Sequence, residues 1–311
     1  MKNNLSNIKK AIKYLNNGQC IAVPTETVYG LAANAYSNKA TEKIFKLKKR
    51  PKSNPLIVHY YNLKDLKKDC EINDLFLKIY KKFSPGPISY ILKLKKKNKI
   101  SKNVTNGKQT VAVRFPKHKL TRKLLKDLKY PLAAPSANMS KKISPVSKED
   151  VIDEFGNKIK FILDGGRCKF GLESTIISLE NNPEVLRLGA IDKKKLKKYL
   201  VKKNNQKTRK KKILVPGQGK VHYSPDIPIR LNATQPKKGE AFLLIKNRKE
   251  KNKNYYYLSK NKNMEEVGKN LYKKLRKIKN KGFKFIAVEK IPKKGIGEVI
   301  NDRLLRASKK L

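Results

Sequence analysis

The chain has 311 residues, of which 77 are Lys or Arg and 24 are Asp or Glu, so its formal net charge is +53. This length is typical of two domains, and a hydrophobic fraction of 38% can fill a core in each. No apolar run approaches the roughly 18 residues of a membrane span, and the first ten residues lack the apolar segment of a signal peptide. We therefore expect a cytoplasmic protein with no membrane contact.

In the first 200 residues, apolar periodicity predicts alternating helices and strands, which is typical of an α/β domain. The first helix is predicted between a cap at Ser6 and a stop at Gly18. Further helices are predicted over Asn38–Lys48, Asn73–Phe83, His118–Lys129, Ser147–Phe155 and Asp192–Leu200. Strands are predicted over Cys20–Val23, Leu56–Tyr60, Ile88–Leu94, Thr110–Phe115, Pro131–Pro135, Phe161–Asp164, Ser174–Leu179 and Glu184–Leu188.

Residues 201–225 are predicted to link this domain (residues 1–200) to a second one. The first half of this segment, Lys202–Lys212, is charged and has no apolar periodicity, which is typical of a mobile tether. Residues 226–311 again alternate between strands and helices, which predicts a second, smaller α/β domain. Its predicted elements are strands over Ala241–Ile245, Tyr255–Leu258 and Phe285–Glu289 and helices over Met264–Lys279 and Gly297–Ala307.

Motifs for several common enzyme chemistries are missing from the sequence. The chain has three histidines and no GxSxG, HExxH, GxGxxG or P-loop sequence, which argues against a hydrolase triad and a zinc mechanism. The three cysteines, Cys20, Cys70 and Cys168, lie far apart without a CxxC motif, as is typical of a protein from a reducing compartment. We predict no metal site built from protein side chains.

Small polar and cationic side chains stand instead where predicted strands and helices end. The stretch VPTETVYGLAANA (Val23–Ala35) has no Lys and leaves a strand end, where α/β sheets commonly bind ligands. Lys48 and Arg50 precede Pro51, which ends their helix and lets them grip separate phosphate oxygens. Further members of this set are Ser136, Asn138, Ser174, Thr175 and Arg187. Each alone is typical of an ordinary turn or a solvated cation, but together they indicate an anion-binding site without a P-loop.

These motifs carry a resemblance to a known family. PTETVYGL, KKRPKSNPL, SPGP, TVAVRFP, PLAAPSAN, ILDGG, LESTIISL and LRLGAI occur in the order found in the YrdC-like family. PGQGKVHYSP and GEVINDRLLRA resemble its two-domain members, the threonylcarbamoyl-AMP synthases. The resemblance implies a twisted mixed sheet with flanking helices and a smaller Rossmann-like C-terminal domain. It also implies a nucleotidyltransferase that makes L-threonylcarbamoyladenylate from L-threonine, bicarbonate and ATP, releasing pyrophosphate.

The same resemblance implies roles for individual residues. The expected L-threonine set is Thr27, His59, Arg114, Ala134 and Ser174. The expected ATP set is Arg50, Asn54, Thr110, Ser136, Ser144, Arg187 and Tyr223. The residues expected beside the reacting phosphates are Lys48, Arg50, Ser136 and Asn138. Mg²⁺ is expected to accompany ATP, and the product is expected to feed the machinery that forms threonylcarbamoyladenosine in tRNA.

The implied chemistry agrees with the residue types. A carbamate formed from threonine and bicarbonate attacks the α-phosphorus of ATP, so the enzyme needs no nucleophile of its own. Positioning and electrostatics must then supply most of the catalysis. Arg114 is expected to pair with the threonine carboxylate, which a planar guanidinium fits better than an ammonium does. The Lys-free stretch is expected to form a wall of the threonine and carbamate pocket.

Two alternatives remain open from the sequence. The net charge would suit a non-catalytic RNA-binding protein with a basic YrdC-like cavity, or weak non-specific RNA binding. A specific RNA site needs stacking aromatic residues, whereas here Ser, Thr and Asn accompany the arginines, and the Lys excess is spread along the chain as AT-rich codons would produce. The second alternative is an accessory module of a carbamoyl transferase. Such a module usually belongs to a longer chain with zinc-finger cysteines, and this sequence has no CxxC motif.

The second half of the linker differs in composition from the first. It carries Pro216, Gly217, Gly219, His222 and Tyr223, and glycines permit close approach to a ligand. We predict that ATP and threonine order residues 217–224 as a lid that excludes water; the alternative is a plain interdomain turn. Two departures from the family, Lys141 in place of a glycine and Ser84 in place of an aromatic residue, predict local differences in backbone or packing.

Overall fold

The structure, a computed structural model, describes residues 2–180, 183–200, 215–217, 219, 222–248 and 252–309. Its α-helices are α1 (Lys2–Asn16), α2 (Asn38–Lys48), α3 (Leu63–Asp69), α4 (Asp74–Phe83), α5 (Lys102–Thr105), α6 (Lys119–Asp127), α7 (Lys148–Phe155), α8 (Lys193–Leu196), α9 (Met264–Asn280) and α10 (Ile296–Ala307). Its strands are β1 (Ile21–Val23), β2 (Gly30–Asn34), β3 (Ile57–His59), β4 (Ile88–Lys93), β5 (Thr110–Arg114), β6 (Leu132–Ala133), β7 (Thr175–Ser178), β8 (Glu184–Arg187), β9 (Ile229–Arg230), β10 (Glu240–Lys246), β11 (Tyr255–Ser259) and β12 (Phe285–Val288). In this part of the chain, no helix has both the length and the apolar character needed to cross a bilayer.

The first sheet has eight strands in the order β1-β2-β6-β3-β5-β4-β7-β8. It is mixed, because β3 runs parallel to β5 and β4 parallel to β7, whereas the other neighbouring strands are antiparallel. In the β3–β5 register, His59 stands opposite Arg114. The carboxyl ends of these two strands therefore place an imidazole beside a guanidinium. The predicted mixed sheet with flanking helices is confirmed.

The second sheet has four strands in the order β11-β10-β12-β9, all parallel. Helix α9 follows β11 and buries one apolar stripe, as its periodicity predicts. The Asn263 side chain caps this helix by accepting from the backbone N–H groups of Glu265 and Glu266. This parallel α/β unit confirms the predicted Rossmann-like second domain. The domain boundaries at residues 200 and 226 remain predictions, and the predicted tether Lys202–Lys212 lies outside the described residues.

The end of α2 sets the positions of two cationic residues, Lys48 at its last position and Arg50 just after it. Ser37 caps the start, with its hydroxyl accepting from the Ala40 N–H at 3.1 Å. At the other end Lys49 adopts a left-handed conformation with φ of 47°, which reverses the chain. The two side chains reach different loops: Lys48 donates to the carbonyls of Ser136 and Asn138, and Arg50 to those of Asn54 and Pro55. Their predicted grip on separate phosphate oxygens remains a prediction.

Three predicted elements differ from the structure. Helix α1 begins at Lys2, so Ser6 lies within the helix and does not cap it, because no Gly or Pro stops the helix before that point. The predicted strand Phe161–Asp164 is a single bridge between Ile162 and Ala22, since two glycines turn the chain directly afterwards. The predicted helix Asp192–Leu200 is divided into α8 and a 3-10 turn.

The sequence analysis missed five short elements: α3, α5, β2, β9 and the 3-10 turn Gly156–Lys158. Strand β2 matters most, because it forms the second half of the Lys-free stretch Val23–Ala35. It pairs antiparallel with β1, with Val23 opposite Gly30, and its first four residues are buried. Small apolar residues packed on both faces show no alternation, so the period of a strand is not visible there.

Candidate active site

A narrow cavity with many polar side chains in its lining lies where β1, β3 and β5 end, beside the loop after β6 and the start of β7. Nine of the predicted site residues line it: Thr27, Arg50, His59, Arg114, Ala134, Ser136, Ser174, Arg187 and Tyr223. These residues come from eight separate stretches of the sequence. The fold therefore brings most of the predicted constellation to one place.

One corner of the cavity is built around Arg114. Its Nη2 donates to Glu26 Oε1 at 2.8 Å, and the other oxygen of Glu26 accepts from the Lys117 N–H at 2.9 Å. Both charged side chains are buried, so this ion pair fixes the plane of the guanidinium. Arg114 Nε is buried without a hydrogen-bond partner among the described residues. A buried donor left unpaired in this way indicates a ligand that would satisfy it.

His59 completes this corner. Its Nδ1 is likewise buried and unpaired within the part of the chain that the structure describes. Burial, and then the charge of Arg114, lower the pKa of His59 well below its ordinary value. The imidazole is therefore neutral at physiological pH, so it can donate or accept a hydrogen bond without adding charge beside Arg114.

The Lys-free stretch forms a wall of the same corner. The Thr25 hydroxyl accepts from the N–H groups of Thr27 and Val28 and donates to the Val28 carbonyl at 2.6 Å. This compact hydroxyl turn also brings the Thr25 and Thr27 hydroxyl oxygens to 2.7 Å. Thr27 is fully buried against the cavity. A long lysine side chain would not fit in this turn, which explains the local composition.

A second wall of the cavity carries two buried guanidinium groups, Arg50 and Arg187. Arg50 donates to the Asn54 carbonyl at 2.9 Å, to Asn54 Oδ1 at 2.5 Å and to the Pro55 carbonyl at 2.8 Å. Arg187 donates to the carbonyls of Ser174 and Pro216 and to the Ser174 hydroxyl at 3.0 Å. Across the described residues, neither one forms an ion pair with a carboxylate.

This wall is therefore strongly electropositive. Burial, and then the charge of Arg187, lower the pKa of Arg50 to about 9. Burial also lowers the pKa of Arg187. Two cations held by neutral carbonyl groups in a water-poor cleft favour a bound polyanion, which would supply the missing negative charge.

Five predicted residues do not line the cavity: Lys48, Asn54, Thr110, Asn138 and Ser144. Lys48 is almost completely buried behind the loop after β6, where its Nζ donates to the carbonyls of Ser136 (2.6 Å) and Asn138. Asn54 orients Arg50, and Thr110 lines a smaller neighbouring cavity. Their predicted contacts with phosphates remain predictions, and in this structure Lys48 supports the loop rather than facing the cavity.

The described part of the predicted lid contributes Gly217, His222 and Tyr223 to the lining of the cavity. Tyr223 is 1% exposed, and its hydroxyl has no hydrogen-bond partner among the described residues. Gly217 has a φ of +85°, and a Cβ placed there would come within 2.7 Å of the Tyr223 hydroxyl oxygen. Only glycine allows this approach. The lid residues 218, 220 and 221 lie outside the described residues.

A backbone contact next to the lid accounts for one departure from the family pattern. The Ser224 N–H donates to the carbonyl of Lys141 at 2.9 Å. Lys141 has a φ of 72°, a left-handed conformation in which glycine is the residue with the lowest cost. The backbone therefore keeps the shape that the resemblance associates with glycine, and Lys141 adopts it.

Comparison with known proteins gives a consistent result. Residues 13–189 match the family model described as "Telomere recombination", which covers Sua5, YciO and YrdC proteins, and residues 191–309 match the model described as "Threonylcarbamoyl-AMP synthase, C-terminal domain". The chain is 34% identical to threonylcarbamoyl-AMP synthase of Pyrococcus abyssi, over 97% of this chain and 94% of that protein. The chain belongs to the threonylcarbamoyl-AMP synthase family.

Two further comparisons agree with this family. Threonylcarbamoyl-AMP synthase of Bacillus subtilis is 33% identical, over 97% of this chain and 92% of its own length. The crystal structure of P. abyssi Sua5 complexed with L-threonine has a TM-score of 0.86 and 32% identity, covering 97% of this chain and 94% of that one. The predicted fold class, family and enzyme class are thereby confirmed, and the non-catalytic RNA-binding alternative is not favoured.

Sequence reasoning missed Glu173, the acidic side chain that lines the cavity. Its carboxylate accepts from the Ser144 hydroxyl at 2.7 Å, the Tyr272 hydroxyl at 3.0 Å and Arg303 Nε at 2.9 Å. Glu173 stands in LESTIISL and Arg303 in GEVINDRLLRA, so both lie in quoted motifs. One signal was available in the sequence: Glu173 is the single charged residue in the apolar motif LESTIISL, and the chain has only 24 acidic residues.

The ion pair gives Glu173 a measurable signature. Burial opposes its charge, but Arg303 and then Arg187 overcome this and lower the pKa of Glu173 from 4.5 to about 2. A depressed pKa adds stability that is present above pH 4.5 and lost as the pH falls from about 4.5 to about 2. Lowering the pKa of Glu173 from 4.5 to about 2 corresponds to a contribution of roughly 3 kcal/mol to the free energy of unfolding.

We therefore expect the free energy of unfolding, measured by urea denaturation, to fall more steeply with decreasing pH in the wild type than in Glu173→Gln. Between pH 5 and pH 2, the difference between their free energies of unfolding should shrink by roughly 3 kcal/mol. Parallel curves for the two proteins would mean that this carboxylate titrates normally in the folded state.

Proposed function

We propose that the cavity synthesises L-threonylcarbamoyladenylate from L-threonine, bicarbonate and ATP, with release of pyrophosphate. The observation that carries this proposal is the division of the cavity into two anion-binding parts. On one side Arg114 and neutral His59 offer unpaired buried atoms, and on the other Arg50 and Arg187 have no carboxylate partner within the described residues. The reaction needs both a carbamate and a triphosphate held together.

The corner of Arg114 suits the amino acid. The guanidinium can take the threonine carboxylate, and its pairing with Glu26 leaves the corner near neutral before threonine binds. The small hydroxyl groups of Thr27 and Ser174 border the same space and can contact the amine or hydroxyl of threonine. Ser174 is itself positioned by the Ser89 hydroxyl at 2.8 Å. The crystal structure of P. abyssi Sua5 complexed with L-threonine supports L-threonine as the amino acid, and its assignment to this corner rests on the side chains described above.

The wall of Arg50 and Arg187 suits ATP. Threonine and bicarbonate lose water to form the carbamate, and a carbamate oxygen then forms the new bond to the α-phosphorus. The bond from the α-phosphorus to the bridging oxygen breaks, and its electron pair leaves with pyrophosphate. The two fixed guanidinium groups stabilise the charge that develops on the phosphorus oxygens and on pyrophosphate.

Mg²⁺ is proposed to enter with ATP and to be held by phosphate oxygens and water. In the described parts of the chain, no three His, Cys, Asp or Glu side chains are grouped so that they could hold a metal ion. The Glu173 carboxylate lines the cavity, but three donors already occupy it. The side chains present do not form a resident metal site, so we assign no step to protein-bound metal.

Tyr223 is proposed to act as the closing residue of the lid. With its ring against the cavity and its hydroxyl unpaired within the described residues, it can cover the phosphates and exclude water from the carbamate. Tyr223→Ala should lower adenylate formation by about tenfold or more, as expected for a lost contact in a water-excluding lid. Tyr223→Phe separates the ring from the hydroxyl. Full activity of Tyr223→Ala, measured as pyrophosphate release, would leave residues 217–224 as a plain turn.

The product is a reactive adenylate, and we propose that the tRNA threonylcarbamoyl transferase machinery consumes it. The described cysteines are all free and buried, which supports the predicted reducing cytoplasm. Weak non-specific RNA binding through the lysines stays a prediction from net charge.

The proposed function is tested by the dependence of pyrophosphate release on substrates. Release should require both L-threonine and bicarbonate, and omission of either should return the rate to background. Equal ATP turnover with and without threonine would reject the proposal.

A further inference from the structure

One arginine of the second domain reaches the edge of the active site. Arg303 lies in α10 and is 1% exposed, so its charge is almost fully withdrawn from water. Its Nε pairs with Glu173 Oε2 at 2.9 Å, and its Nη2 donates to the carbonyl of Leu188 at 2.6 Å. Its Cζ lies 4.7 Å from the centre of the Tyr223 ring. A single side chain therefore contacts three separate stretches of the chain.

Each of these contacts adjoins a residue of the proposed ATP wall. Glu173 precedes Ser174, whose carbonyl and hydroxyl hold Arg187. Leu188 follows Arg187, so its carbonyl fixes the backbone at the point from which that guanidinium projects. The Tyr223 ring contacts both Arg303 and the ring of Tyr272, which stacks on it with the two centroids 5.9 Å apart. Arg303 does not itself line the cavity.

A second residue of the same domain strengthens this arrangement. The Tyr272 hydroxyl, from α9, lies 3.0 Å from both oxygens of Glu173. Tyr272 and Arg303 thus hold one carboxylate from two helices. Burial of an ion pair is costly unless its geometry and hydrogen bonds are good. Here both oxygens of the Glu173 carboxylate accept hydrogen bonds.

We propose that Arg303 is a positioning residue for the ATP half of the site, through which the second domain fixes Arg187 and Tyr223. This inference rests on the proposed function for the identity of the nucleotide. In the threonine corner, Arg114 is held by Glu26 and His59 by its strand, and neither has a contact with Arg303 within the described residues. Ser174, which also borders that corner, follows Glu173 and is the member of the threonine set that lies next to a contact of Arg303. Loss of Arg303 should therefore weaken ATP binding selectively.

The test compares two affinities in the full-length protein. The Kd for ATP is measured directly with a fluorescent ATP analogue, and the Kd for labelled L-threonine is measured by equilibrium dialysis without nucleotide. Arg303→Met should raise the Kd for ATP by about tenfold to hundredfold, as displacement of a binding group by about 1 Å does. The Kd for threonine should change much less, by no more than about threefold, because Arg303 contacts neither Arg114 nor His59 and reaches the threonine set only through the residue before Ser174.

Arg276→Met is the matched control. Arg276 also lies in the second domain with a mostly buried side chain, and it pairs with Asp150 at 3.3 Å and Glu154 at 3.4 Å and donates to the Ile143 carbonyl at 3.0 Å. None of these three partners lines the cavity. This control should leave both Kd values within about threefold of the wild type. An equal loss of ATP binding in both variants would show that domain docking alone is responsible, and would overturn the role of Arg303.

Arg303→Lys decides the question if Arg303→Met does not fold. One ammonium cannot reach Glu173 and the Leu188 carbonyl and also lie flat over Tyr223, so ATP binding should still weaken by about tenfold while threonine binding persists. Unchanged ATP binding, or equal weakening of both ligands, would reject the proposal. A wild type that binds ATP but makes no adenylate would reject the proposed function, and the ATP affinities would still decide the role of Arg303.

Discussion

Arg50→Ala should lower adenylate formation by about a hundredfold to a thousandfold, which is the usual loss when a preorganised charge partner of a transition state is removed. Arg50 is suited to this role because Asn54 and Pro55 fix its guanidinium through three hydrogen bonds, so little reorganisation is needed during the reaction. Its charge acts in a buried site, where water screens it weakly. The rate is measured as pyrophosphate release at saturating threonine and bicarbonate.

Two further variants sharpen this result. Arg50→Lys keeps a charge but loses the planar fork, and should recover only part of the activity. Arg248→Ala removes a partly exposed arginine that pairs with Glu289 in the second domain, and should leave the rate unchanged. A folded Arg50→Ala protein with normal activity would remove Arg50 from the active site.

Arg114→Met should abolish most threonine use, with a fall of about a hundredfold or more in kcat/KM for threonine. The substitution removes the partner of the threonine carboxylate. It also leaves Glu26 buried without its cation, and this uncompensated charge would repel the incoming carboxylate. Breaking such a buried pair should in addition destabilise the fold by about 3–5 kcal/mol.

The double variant Arg114→Met/Glu26→Gln separates stability from binding. It removes both charges, so most of the lost free energy of unfolding should return. Threonine use should not return, because the carboxylate still has no partner. Recovery of activity in the double variant would show that Arg114 serves the fold and not the substrate.

The sequence predicted the chemistry of the site better than its construction. Strand ends followed by small polar residues placed Thr27, Ser136 and Ser174 at a common edge, because α/β sheets gather such ends. That His59 stands opposite Arg114 depends on the register of two strands more than 50 residues apart, which local periodicity does not encode. The family resemblance supplied that pairing only as a list of residues.

Long-range partners were the part that could not be predicted. Glu173 and Arg303 are 130 positions apart in sequence and meet only because α10 packs against the first domain. Long-range contacts also decide the position of Lys48. Its motif predicts a contact with phosphate, whereas in the structure its ammonium group donates to carbonyls of the loop after β6. The bounds of α2 and α9 were predicted to within one residue, since each helix start depends on a local cap, Ser37 or Asn263, within three residues of the backbone groups it binds.

The most direct test of the central proposal follows the carbon of bicarbonate. The protein is incubated with ATP, Mg²⁺, labelled bicarbonate and L-threonine, and the products are separated and analysed for an adenylate. We expect one species that contains both the adenine group and the bicarbonate label, formed with L-threonine and near background when L-alanine replaces it. ATP consumption without label in an adenylate, or equal labelling without threonine, would contradict the proposed reaction.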